Sequence, residues 1–169
     1  MAHTALRVLG IDPGSLTTGY GCIVARGSRL QSIAHGTIRA GTSLVPIEQR
    51  LHTIHRELLR ILAELRPDAV SLEEAFFGRN VKSALRIGEA RGVALLTTAD
   101  AGVRVFQYAP AVVKRSVVGN GNAHKSQIGE MVKTLLGLRE EKIAHDATDA
   151  LALAICHCHR ATARLLGVR

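Results

Sequence analysis

The apolar positions fall first into short blocks and later into helical stripes. Leu6, Val8, Leu9 and Ile11 form a nearly continuous apolar run that predicts a strand over Leu6–Asp12. A run without clean alternation suits the centre of a sheet covered on both faces. The string Asp12-Pro13-Gly14-Ser15 breaks it with turn-forming residues. Two further strands are expected at Gly19–Ala25 and Leu30–Ile38, linked by a hairpin turn at Ala25-Arg26-Gly27-Ser28. Together these three make an antiparallel meander.

Helical spacing then takes over. Ile47, Leu51, Ile54, Leu58, Ile61, Leu62 and Leu65 predict a long helix opening near Pro46 and stopped by Arg66-Pro67. A short β-like block, Asp68–Glu73, follows it and is expected beside the first strand. A second helix is expected from about Asn80 to Ala99, then a last strand over Val103–Tyr108. Pro110 starts a short helix ending near Gly119. Two more are expected, from about His124 to Leu136 and from about His145 to Leu165, with Leu138 to Ala144 as a polar link. The expectation is one α/β domain over residues 1–169, a five-stranded mixed sheet flanked by helices.

Composition narrows the function. The 169 residues are 47% apolar, enough for a sizeable core. Lys and Arg number 22 against 14 Asp and Glu, a formal charge of +8, which suits a polyanionic partner as well as a merely basic surface. No signal-like segment and no membrane-length apolar run is visible, so no membrane partner is expected. Three sparse cysteines, Cys22, Cys156 and Cys158, fit a cytoplasmic protein. The string Cys156-His157-Cys158-His159 is not read as a zinc set, because four consecutive helical positions point around the axis.

Four acids carry the candidate chemistry. Asp12 ends a central strand, where an α/β sheet opens a ligand crevice. It is either a turn residue capping its own backbone or a carboxylate held there by a cation. Glu73 ends its own strand and is preferred to Glu74, since strand alternation turns only one of them into the cleft. Asp146 and Asp149 lie three apart on one face of the last helix. Behind them Ala150 to Ile155 is wholly apolar, so this helix is expected to lie on the sheet. Its acids are either ordinary first-turn residues or part of a four-acid cluster. Such a cluster needs cations, and oxygen ligands suit Mg²⁺ or Mn²⁺. Two ions about 3.5–4 Å apart serve phosphodiester hydrolysis.

Positive charge gathers after Glu73: Arg79, Lys82, Arg86, Arg91, Arg104, Lys114, Arg115 and Lys125, opposed by Glu89 and Asp100. These residues either guide phosphates or form a solvated face. Phe76 and Phe77 follow Glu73 closely; one of them could stack on a base. Ala84, Gly88 and Gly92 recur four apart in the second helix, beside Val81, Leu85, Leu95 and Leu96. That spacing serves close packing, on the protein's own sheet or on a second copy. A kinase or actin-like ATPase is the rival reading of the first turn, but it needs a second lobe and a second phosphate loop, which this length does not supply.

The stretches GIDPGSLTTGYG, LEEAFFGRN, SALRIGEARGVA, VKRSVVGNGNAHKSQ and HDATDALALAICHCH cover nearly the whole chain. Together they resemble the RuvC family of bacterial Holliday junction resolvases. The resemblance implies a ribonuclease-H-like fold and a homodimer that nicks opposing strands of a four-way junction, leaving 5′-phosphate ends. It implies Mg²⁺ as cofactor, two ions per site, with Mn²⁺ able to substitute. It maps the family's four acids onto Asp12, Glu73, Asp146 and Asp149, and so selects Glu73 over Glu74. It maps the two functional lysines onto Lys114 and Lys125 and the junction-contacting aromatic onto Phe76. Arg79, Lys82 and Arg115 are expected to join Phe76, Lys114 and Lys125 on DNA. The branch-migration proteins RuvA and RuvB are the implied partners.

Overall fold

The computed structural model describes residues 5–74 and 81–165. Its elements run β1 (Leu6–Asp12), β2 (Thr17–Arg26), β3 (Arg29–Arg39), α1 (Ile47–Leu65), β4 (Ala69–Glu73), α2 (Val81–Asp100), β5 (Arg104–Tyr108), α3 (Pro110–Val118), α4 (Lys125–Leu136) and α5 (His145–Leu165). The five strands form one sheet in the order β3-β2-β1-β4-β5. β1, β2 and β3 pair antiparallel, while β4 lies parallel to β1 and β5 parallel to β4. The sheet is thus mixed, with β1 at its centre.

The near-continuous apolar run of β1 reflects burial on both faces. Val8 faces one core cluster, with Leu151, Ile155, Val113 and Val132 from α5, α3 and α4. Leu9 and Ile11 face the other, with Ile54 and Leu58 of α1 and Ala90 and Ala94 of α2. All three are 0% exposed. Burying such a side chain contributes about 1.5–3 kcal/mol each. β2 and β3 each run past their expected ends, because the β2–β3 ladder continues from Thr17↔Arg39 to Arg26↔Arg29 around Gly27 at φ 60. The terminal polar residues gain ladder hydrogen bonds there without needing a core.

α5 lies almost on the sheet backbone. A Cβ on Gly10 would stand 1.8 Å from the Ala150 carbonyl oxygen, and one on Gly19 would stand 2.0 Å from that of Asp146. No side chain fits at either place, so the glycines set how low the helix sits. Ser71 Oγ then donates to the Leu153 carbonyl at 2.8 Å, tying β4 to the same helix.

On the outer side, α2 leaves an apolar stripe open. Val81 is 80% exposed, Leu85 62% and Leu96 60%, while Cβ positions at Gly88 and Gly92 meet nothing within 4 Å. The two glycines therefore do not serve packing on the protein's own sheet. Among the described residues no helix is long and apolar enough to cross a membrane.

Candidate active site

The pleat decides which acids meet. Along β1, Val8 points to the α5 side and Leu9 and Ile11 to the α1 side. Period-two alternation returns Asp12 to the α5 side. Along β4, Val70 and Leu72 face α1, and Ser71 bonds α5. Glu73 therefore shares the side of Asp12, whereas Glu74 falls in the opposite phase. The register agrees: Ile11 pairs with Leu72, which puts the two acids side by side at the strand ends.

A cavity of about 170 Å³ opens there. Asp12, Glu73, Asp149, Lys114 and Lys125 line it, over a floor of Pro110, Val113, Ile128, Ala152 and Leu153. Lys125 Nζ donates to Asp149 Oδ2 at 2.9 Å. Lys125 opens α4, whose start is fixed by the His124 backbone N–H donating to Gln127 Oε1 at 3.0 Å. Lys114 comes from α3, which begins at Pro110 directly after β5.

The electrostatics are those of crowded anions. Burial, then the carboxylates of Asp149, Asp146 and Glu73, push Asp12 up to about 7, against a pull from Lys125. Burial and Asp149 also raise Glu73, opposed by Lys125 and Lys114. The hydrogen bond to Asp149 raises Lys125, with partial burial working against it. The donors are all carboxylate oxygens, the chemistry that hard divalent cations select. Among the described residues, no group of three or more His, Cys, Asp or Glu side chains stands ready to hold an ion as it is. The donor set fits such an ion in kind and in charge, with Lys125 as the cation in place on Asp149.

Not every expected residue reaches the cleft wall. Asp146 acts on Asp12 through its charge, yet Asp146 is absent from the lining, and its carbonyl sits over Gly19. His145 is exposed. Lys82 and Arg115 are exposed on α2 and α3. Phe76, Phe77 and Arg79 lie outside the described residues. Arg91, one of the basic residues after Glu73, turns inward: its Nε donates to the Glu73 carbonyl at 3.3 Å, and its Nη2 meets Gln107. It braces the end of β4 under the acid. The Cys156–His159 string is spent on packing: His157 Nδ1 meets the Tyr108 hydroxyl at 2.7 Å, and His159 Nδ1 meets the Ser116 carbonyl at 2.9 Å.

A mixed sheet with a three-strand antiparallel wing, and acids gathered where its two parallel central strands end, defines a ribonuclease-H-like nuclease. The family model for the crossover junction endodeoxyribonuclease RuvC matches residues 8–157. The crossover junction endodeoxyribonuclease RuvC of Alkaliphilus oremlandii is 50% identical over 152 residues, 90% of this chain and 92% of that protein. That of Methylocella silvestris is 47% identical over 98% of this chain and 93% of its own length. The solved structure of T. thermophilus RuvC in complex with Holliday junction substrate superposes with a TM-score of 0.87 at 34% identity, covering 93% of this chain and 95% of that one. The chain belongs to the RuvC family of crossover junction endodeoxyribonucleases, metal-dependent hydrolases of DNA recombination and repair.

Proposed function

We propose that this chain, as a single nuclease domain, resolves four-way junctions by paired symmetric nicks, with Asp12, Glu73, Asp146 and Asp149 as the acids that hold its ions. The observation that carries this is one cleft joining Asp12, Glu73 and Asp149 to Lys114 and Lys125. Mg²⁺, two ions per site, is the cation its charge and oxygen donors favour, with Mn²⁺ able to substitute. Such ions, when bound, supply Lewis acidity and a nucleophile at neutral pH.

The chain's own residues divide the remaining work. Asp149, now bonded to Lys125, would be one of the acids holding an ion, and the Lys125 ammonium would then be available to the strand entering the cleft. Lys114 and Lys125 then stand where negative charge grows on the phosphate under attack. Hydrolysis leaves 5′-phosphate ends for ligation. Phe76 is assigned to the opened crossover, with Arg79, Lys82 and Arg115 on the phosphate backbone.

Two matching cuts require two matching sites, which a two-fold homodimer supplies. The open stripe of Val81, Leu85 and Leu96 around Gly88 and Gly92 is its face. RuvA and RuvB are the assigned partners and the cytoplasm the assigned compartment. The test is cutting of a labelled four-way junction and a linear duplex of the same sequence, with Mg²⁺ or with chelator. Paired nicks in the junction with Mg²⁺ alone support the reading; equal cutting of both DNAs, or cutting under chelator, overturns it.

A further inference from the structure

Among the described residues, Arg50 is a buried cation with no acid beside it. It sits in the first turn of α1 and is 6% exposed. Its Nη1 donates at 3.3 Å to both the carbonyl and the hydroxyl oxygen of Ser15, while its Nε is buried without a hydrogen-bond partner. Among the described residues it makes no ion pair. A largely buried guanidinium whose acceptors among the described residues are two neutral oxygens of Ser15 carries a positive charge that no described acid offsets. The cleft acids do not offset it, since the cation acting on Asp12 is Lys125. Arg50 reaches the β1–β2 turn from the α1 side, and the acids leave the sheet on the α5 side.

Ser15 stands beside this charge in the β1–β2 turn. It is half-buried, and its hydroxyl oxygen already accepts from Arg50, which leaves the hydroxyl hydrogen to donate outward. A hydroxyl donor backed by a buried positive charge suits a phosphate oxygen. The turn also follows Asp12 directly, so a strand laid across the acids passes it.

We propose that Ser15, backed by Arg50, is a seat for a backbone phosphate of the bound DNA strand, separate from the phosphate at the four acids. Ser15 makes the contact. Arg50 supplies the charge behind that hydroxyl, so it is a positioning residue. The seat rests on the junction-cutting function proposed above.

The test is junction binding across a salt series, on an Asp12→Asn background so that the DNA stays whole, together with thermal melting of the free protein. Arg50→Met should weaken binding about tenfold at low salt. It should flatten the slope of log affinity against log salt by about 0.9, the value of one phosphate. Melting of the free protein should hold or rise, because an unmatched buried charge is gone. Arg50→Lys should restore the slope, and Ser15→Ala should weaken binding while keeping it. Arg50→Gln is read in the same way if the Met variant does not fold. An unchanged slope in the charge-removed variant overturns the seat, and a lowered melting temperature beside it makes Arg50 only the holder of the turn. A parent protein that fails to bind the junction overturns the functional reading instead.

Discussion

Lys125 Nζ lies 2.9 Å from Asp149 Oδ2 and so places a cation at the cleft that Asp12, Glu73 and Asp149 line. Lys125 itself is largely exposed, so the pair adds little to folding and its weight falls on the cleft. Two consequences follow for Lys114 and Lys125. Replacing either by Ala should lower the cleavage rate by roughly 10²-fold, the scale set by removing one donor from developing charge. Junction affinity should fall far less. Single-turnover rates and binding curves at several salt concentrations check this; equal losses in both would make the lysines ordinary backbone contacts.

Asp12 gives a pH signature in the metal-free protein. Its folded value of about 7 lies above the ordinary 3.8. The folded state therefore holds a proton that the unfolded state releases, and stability drains away as pH rises from 3.8 toward 7. Asp12→Asn removes that loss. The variant should melt higher than the parent under chelator, with an increment that grows between pH 4 and pH 7 and then levels off. An increment of equal size at pH 5 and pH 8 would contradict the assigned environment.

The glycines beneath α5 make a steric prediction. Gly19→Ala drives a methyl group into the Asp146 carbonyl, and Gly10→Ala drives one into that of Ala150. Each should cost about 1–3 kcal/mol or more of stability. Gly19→Ala should also shift the first turn of α5 and lose cleavage beyond what its stability loss explains. Denaturant titration beside cleavage at a temperature where the variant is folded separates the two effects.

Much of this was legible in the chain. Continuous burial showed in the unbroken run of β1, whereas Glu73 was preferred to Glu74 only as the residue after Leu72 at the expected strand end and by the family resemblance; the structure adds the phase, with Val70 and Leu72 facing α1. The four-residue spacing in α2 was visible too, but sequence alone left it between internal packing and a partner. The open space at Gly88 and Gly92 removes the internal choice. Arg50 and Arg91 were not legible in their roles. A helical arginine between apolar positions looks the same whether it faces water or a turn far away in sequence. The spacing of three put Asp146 and Asp149 on one helix face, yet only Asp149 lines the cleft, while the Asp146 carbonyl sits over Gly19.

That open stripe predicts a homodimer formed without DNA. Gly88→Leu and Gly92→Leu have room within one chain, so each should fold normally by circular dichroism. Each should weaken association in sedimentation over a concentration range, as should Leu85→Glu. A parent that stays monomeric at micromolar concentration without DNA would overturn the preformed dimer, whereas folded, fully dimeric variants would move the interface away from α2.

If the acids at the ends of β1 and β4 and on α5 perform the hydrolysis and leave recognition to the rest of the surface, neutralising them separates cutting from binding. The direct measurement compares strand cleavage in Mg²⁺ with junction binding for Asp12→Asn, Glu73→Gln, Asp146→Asn and Asp149→Asn. Each exchange removes charge with little change of volume. Cleavage should fall by at least about 10²-fold in each, while binding stays within a few-fold of the parent or tightens as repulsion is lifted. Near-parental cleavage by Asp12→Asn or Glu73→Gln would contradict the account.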